Sequence, residues 1–158
     1  MTGVDAAGLR RARAAALQIL YQWEVGRVSA HEAIVTYWRP SEGDPGAEQE
    51  SDGERTDGDL PDSLRDFANG LVNGTVSRVA EIDALLAAHA QNWRVERMAV
   101  LDRLVLRLAT YELLAEPSTP PKVVINEALE LTRQYSGDEA VGFVNGVLDG
   151  VRKQLGRE

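Results

Sequence analysis

Apolar residues recur along this chain at helical spacing, with no alternating stretch of the kind a strand requires, and they predict an all-α fold of about seven helices. Placed on a helix, Leu9–Val25 gathers Leu9, Ala12, Ala16, Ile19, Leu20 and Trp23 on an arc of about 100°, the width of a core-facing stripe. Arg10, Arg11, Gln18, Tyr21 and Gln22 fall on the opposite side, with Arg13 at the flank. Gly26 is expected just past the end of this helix. Ser29 then reads as an N-cap, with Glu32 completing a capping box. The second helix would run from about Ala30 to Arg39, carry an apolar stripe of Ala33, Ile34, Tyr37 and Trp38, and stop at Pro40. From Asp62 or Ser63 the pattern resumes with Leu64, Phe67, Ala68, Leu71, Val72 and Val76, and Val79, Ile82, Leu85, Leu86 and Ala90 continue it. Gly70 and Gly74 mark either a close helix approach or a break. Val95–Leu114 is the longest strongly apolar segment and is expected at the middle of the core, with Arg97, Asp102, Arg103 and Arg107 on its polar side. Pro117, Pro120 and Pro121 interrupt the pattern, and Pro121 suits the first position of a helix to Tyr135 that buries Val124, Ile125, Ala128, Leu131 and Tyr135. Asp138 would cap a last helix carrying Val144, Val147, Leu148, Val151 and Leu155.

The domain organisation expected is one domain over 1–158: a flexible arm at 1–8, N-terminal helices at 9–40, a mobile acidic loop at 41–62, and the remaining helices, including the C-terminal bundle, at 63–158. The loop assignment rests on composition. Ser41–Asp62 is rich in Gly, Pro, Ser and acidic residues and has almost nothing apolar to offset its ordering entropy. This segment also changes the meaning of the net charge. The chain carries −8 overall, yet nine of its acidic residues lie between Glu42 and Asp62 against Arg55 alone, so the rest is balanced. Overall acidity therefore does not argue against a nucleic-acid partner for the folded part.

Other features narrow the function. There is no cysteine, which removes disulfides, thiolate metal sites and a cysteine nucleophile. His31 and His89 are too far apart in sequence to form a helical metal pair. No Gly-rich phosphate loop, Ser/His/Asp set or distinctive carboxylate pair is present. The chain is accordingly not expected to be an enzyme, and neither a cofactor nor a metal is expected. No apolar run reaches the roughly 18 residues that suggest a membrane span, and the first residues lack the apolar core of a secretory signal, so a cytoplasmic protein is expected. What remains is the polar face of Leu9–Val25, whose guanidinium, amide and phenol groups suit phosphates and bases. The plain alternative is an amphipathic helix with solvated arginines.

Three stretches taken together favour the first of these readings. They are Arg10–Tyr21 (RRARAAALQILY), Leu101–Leu113 (LDRLVLRLATYEL), and Pro121–Leu131 (PKVVINEALEL) followed by Phe143–Leu148 (FVNGVL). In this order the chain resembles the NusB family of transcription antitermination factors. The resemblance implies an all-helical fold of two packed small bundles, and a protein that binds boxA-like single-stranded RNA of ribosomal RNA leaders. It implies as partners NusE, a ribosomal small-subunit protein, and the antitermination complex on RNA polymerase. By the same resemblance, RNA would meet Arg10, Arg11 and Arg13, with Gln18 and Tyr21 beside them, and Phe143. NusE would meet Glu96, Asp102, Pro121, Lys122 and Glu127. Leu9 stands where a further basic residue is frequent, and the acidic insertion is a second departure; both bear on affinity rather than fold. Phe143 reads either as a stacking platform or as a packing group at the helix entry, and Asn145 and Gly146 read as structural, a buried amide and a close-approach glycine.

Three alternatives stay open. One is an RNA-targeting module like the N-terminal domain of a ribosomal RNA cytosine methyltransferase, which expects a methyl-donor-binding domain beyond Glu158. Another is a helical adaptor without RNA binding, which has no need of the arginine cluster. A homodimer that hides the arginine helix is the third. Deleting Ser41–Asp62 is expected to preserve a cooperative thermal melt and to leave RNA affinity equal or higher; loss of cooperativity would show that the segment belongs to the fold.

Overall fold

The structure, a computed structural model, describes residues 5–40, 60–90 and 94–158. These residues form seven α-helices and two short 3₁₀ turns, and no strand occurs among them. The chain divides into two compact units, Met1–Asn69 and Gly70–Glu158, with the boundary inside one helix.

In the first unit, α1 spans Ala6–Gly26. It begins earlier than expected because the Asp5 carboxylate accepts a hydrogen bond from the Gly8 amide at 2.7 Å, so residues 5–8 are a capped helix start rather than part of an arm. The rest of the expected arm, residues 1–4, lies outside the described residues. Gly26 is the last helical residue, and the left-handed terminating position falls on Arg27 (φ 54°). Helix α2, Ala30–Trp38, packs on α1 and starts as expected, with Ser29 Oγ accepting from the Glu32 amide at 3.0 Å. Its last turn is tied to the start of α3, Asp62–Ser77: Trp38 Nε1 donates to Asn69 Oδ1 at 2.8 Å, and the Arg65 guanidinium lies 5.1 Å from the Trp38 ring centroid.

Of the expected acidic loop 41–62, residues 41–59 lie outside the described residues. Its last part is structured: Leu60 is buried, its carbonyl accepts from Arg65 Nε at 3.0 Å, and Asp62 opens α3. A lone leucine in a polar segment carries no periodicity, which is why composition alone assigned it to the loop.

In the second unit, the pattern running from α3 into α4 (Val79–His89) breaks at Arg78, which leaves helical geometry at φ −112°, ψ 17°. Val95–Leu114 is likewise not one helix. A 3₁₀ turn at Val95–Arg97 leads through extended Met98 and Ala99 into α5, Val100–Ala115. The break has no Gly or Pro to announce it. It is held by the side chain of Arg103, which reaches back to the carbonyls of Val95 (3.4 Å) and Met98 (3.3 Å). Helix α5 packs against α4, α6 (Pro121–Tyr135) and α7 (Val141–Gln154), and every residue from Arg103 to Thr110 is buried. Arg103 and Arg107, expected on a polar side, are therefore interior. Arg107 meets Asp83 of α4 through two hydrogen bonds of 2.8 Å. Helix α6 matches its expected span, with Pro121 at its start, although Tyr135 is only half-buried. Asp138 does not cap α7 through its side chain. It opens the second 3₁₀ turn, Asp138–Ala140, after Gly137 at φ 152°, a region that favours glycine. Val144, Val147, Leu148 and Val151 are buried, while Leu155 lies just past the helix and is half-buried.

The two glycines of α3 have opposite surroundings. A Cβ on Gly74 would lie 2.0 Å from Tyr111 Cζ on α5, whereas one on Gly70 would meet nothing within 4 Å. Gly74→Ala is expected to lower stability by about 1–3 kcal/mol through overpacking, and Gly70→Ala to raise it by about 0.4–1 kcal/mol through reduced unfolded-state entropy. Urea melts of the two variants check both signs.

Candidate nucleic-acid interface

The buried arc of α1 is wider than the stripe expected from sequence. Ala15 and Leu17 join Ala12, Ala16, Ile19 and Leu20 in the interior, and Leu9 and Trp23 are only partly covered. At about 100° per residue this leaves a strip of roughly 120° for solvent. Across it run Arg10, Tyr21, Ala14, Val25, Gln18, Arg11 and Gln22. Arg10, Arg11 and Gln22 are exposed, Gln18 is half-buried, Tyr21 is 39% exposed and Val25 is 50% exposed. Two guanidinium groups therefore flank a phenol and an amide along one helix face. Such a face offers charge for phosphates, a ring for stacking and polar groups for base edges.

Arg13 is not part of that strip. It points along the arc shared by Leu17 and Leu20, retains 4% exposure, and its guanidinium carbon sits 5.6 Å from the centroid of the Phe67 ring on α3. The structure thus places this expected RNA contact in the interior, against Phe67. The aliphatic stem packs and the planar head faces a ring, a combination open to arginine but poorly matched by other cations. The extension of the buried arc from Leu20 to Leu17 encloses Arg13, which lies between them, and a single-helix projection does not contain that information.

Each of the remaining expected site residues lies in the second unit. Phe143 is the third residue of α7 and is half-buried. Asn145 and Gly146, expected to be structural, both face solvent, and a Cβ on Gly146 would meet nothing within 4 Å. The close approach in α7 belongs to Gly150, where a Cβ would stand 2.6 Å from His89 Nδ1. Among the residues expected to meet a protein partner, Glu96 and Lys122 are exposed and Glu127 is half-buried. Asp102 is half-buried and accepts a hydrogen bond from the Ser136 hydroxyl. Pro121 is buried, so its contribution is to set the start of α6 rather than to offer surface. Beside it, Val123 is 42% exposed and was not singled out from sequence. Its signal is an apolar β-branched residue just outside the Val124–Ile125–Ala128 stripe.

Among the described residues, no group of three or more His, Asp or Glu could hold a metal ion, and no helix is long and apolar enough to cross a membrane. On α7 the Asp149 carboxyl is held below the usual carboxylate range, first by hydrogen bonds from Arg152 and Lys153 and then by their charge. These two cations are thus engaged on their own helix.

The burial difference predicts a separation of roles within the arginine cluster. Arg13→Ala is expected to lower stability by about 1–3 kcal/mol, and Arg11→Ala to change it by less than about 0.5 kcal/mol. Thermal denaturation of the two variants tests this; equal melting temperatures would show that the Phe67 contact contributes nothing.

Comparison with known proteins identifies the family. The model of the NusB family matches residues 10–153. The chain is 42% identical over 149 residues to the transcription antitermination protein NusB of Koribacter versatilis, covering 94% of this chain and 91% of the relative. It is 34% identical to the protein of the same name from Bacillus velezensis, over 92% of this chain and 96% of the relative. Among solved structures, NusB of T. maritima superposes with a TM-score of 0.75 at 30% identity, covering 92% of this chain and 91% of that one. A crystal structure of the antitermination factors NusB and NusE in complex with dsRNA gives a TM-score of 0.71 at 25% identity, covering 95% and 99%. By sequence over most of its length and by fold, this chain belongs to the NusB family.

Proposed function

We propose that this protein is an RNA-binding transcription antitermination factor that works together with NusE. The observation that carries this reading is the solvent-facing strip of α1, where Arg10, Arg11, Gln18 and Tyr21 stay outside the core while Ala12, Ala15, Ala16, Leu17, Ile19 and Leu20 of the same helix are buried. The strip is thereby mounted on a rigid element. Its two cations give a phosphate contact that is modest and salt-sensitive on its own. A second protein that extends the RNA-binding surface would supply the missing affinity, and the NusB–NusE–dsRNA structure is a member of this fold seen in that company. The RNA of this reading is a boxA-like single strand of a ribosomal RNA leader, bound while RNA polymerase is transcribing, in the cytoplasm. The protein does no covalent chemistry in this role; it binds and positions. A homodimer burying the α1 strip would compete with RNA, and RNA would then shift the dimer to monomer in sedimentation.

The test is a salt titration of boxA-like RNA binding with and without NusE. Affinity should fall with salt and rise with NusE present. Since Arg13 is interior, the informative variant is Arg10→Ala with Arg11→Ala. It should weaken binding several-fold and flatten the slope of log affinity against log salt by about 1 to 1.5, the value for two lost phosphate contacts on a single strand. A double variant that binds with the parent's affinity and slope would remove α1 from the RNA surface.

A further inference from the structure

The connection between α5 and α6 contains three prolines, and each removes a backbone donor. In a continuing helix the carbonyls of Leu113, Glu116 and Pro117 would receive the amides four residues on, but those positions are Pro117, Pro120 and Pro121, which have none. Of these three carbonyls, only that of Glu116 receives a loop amide, from Thr119 at 3.2 Å. Backbone oxygens at a partly covered helix end need a partner.

That partner is one side chain. Arg157, beyond the end of α7, donates from Nη1 to the carbonyls of Leu113 (3.0 Å) and Glu116 (3.4 Å). From Nη2 it donates to those of Pro117 (3.3 Å) and Thr119 (2.9 Å). All three proline-orphaned oxygens are thus reached by one planar fork, which also sets a cation at the negative end of α5. The residues that carry Arg157 are themselves held. Gly156 takes φ 69°, turning the chain back, and the Arg157 amide donates to the Arg152 carbonyl at 3.1 Å. The Arg157 carbonyl accepts from Arg152 Nη1 at 2.9 Å, and Arg152 is anchored on Asp149. The loop so held runs directly into the first turn of α6, where Pro121 is buried and Lys122 and Val123 face solvent.

We propose that Arg157 is a positioning residue for protein-partner binding: it locks the proline loop so that the first turn of α6 presents Lys122 and Val123 in a fixed, pre-ordered geometry. This rests on the reading above that NusE is the partner, and on the expectation from the family resemblance that NusE meets the start of α6. The gain is the ordering cost that a loose loop would impose on the complex. Lysine at 157 would bring the charge without a fork able to reach four oxygens, so it should restore only part of the effect.

The experiment measures NusE affinity of the full chain by calorimetry for the parent and for Lys122→Ala with Val123→Ala, Val123→Ala alone, Arg157→Ala, Arg157→Lys, and Arg157→Ala with Val123→Ala. Amide exchange at Thr119, Lys122 and Val123 is followed in parallel. Arg157→Ala is expected to weaken NusE binding about five- to tenfold and to speed exchange at these amides, with Arg157→Lys intermediate. RNA affinity measured without NusE should not change. The losses of Arg157→Ala and Val123→Ala should be less than additive, because the first acts through the second's surface. An unchanged NusE affinity in Arg157→Ala, or strictly additive losses, overturns the positioning role. If Arg157→Ala does not fold, an Arg157→Lys variant with parental affinity and exchange does so equally. Parental NusE affinity in the Lys122/Val123 variant shows instead that the partner surface lies elsewhere, and a parent that does not bind NusE at all removes the functional reading itself.

Discussion

The second unit depends on one constraint: a charged side chain that a buried helix carries inward must find partners there. Helix α5 is covered by α4, α6 and α7, and every residue from Arg103 to Thr110 is buried. An uncompensated charge in such a position would cost several kcal/mol. Arg107 avoids this through its paired hydrogen bonds to Asp83, which is one-third exposed on α4 and so keeps part of its hydration. Arg103 turns its head to two backbone carbonyls, and in doing so it defines where the preceding turn ends and α5 begins. The polar residues of α5 are thus what fixes its neighbours in register, while the leucines supply the apolar burial that holds the helices together.

The same side chain serves several purposes in this chain, and the environment decides which. Arg13 stacks on Phe67 in the interior, Arg65 covers Trp38, Arg107 pairs with a carboxylate, and Arg157 collects backbone oxygens. Arg10 and Arg11 alone of the first cluster remain at the surface. A count of arginines in the motif therefore overstates the exposed charge by one. The proposed interface is correspondingly one of low intrinsic affinity, which suits a factor whose binding is to be completed by a partner protein rather than achieved alone.

Close approach follows a similar logic. Gly74 and Gly150 sit where a methyl group would strike Tyr111 and His89, while Gly70, Gly142 and Gly146 face open space. Spacing of glycines on a helix does not separate these cases, because the difference is made entirely by what the opposite helix brings to that point.

Much of this protein was legible in its sequence. The helical periodicity located the helical stretches, although it ran α3 and α4 together across Arg78; the Ser29 cap and the Pro121 start fall where expected, and the bounds of α6 match. Local signals suffice for these features because capping, proline geometry and an amphipathic stripe are set by residues within a turn or two of one another. The family resemblance rested on motifs of the same local kind. Tertiary packing decided the rest. It broke the Val95–Leu114 segment at Met98–Ala99, drew Leu60 inside, buried Arg13, and turned Asn145 and Gly146 outward. It also brought Arg157 to carbonyls some 40 positions away, between 38 and 44 in sequence separation. Each of these depends on which surface arrives from another part of the chain, and a periodic pattern shows only that a face will be covered, not by what.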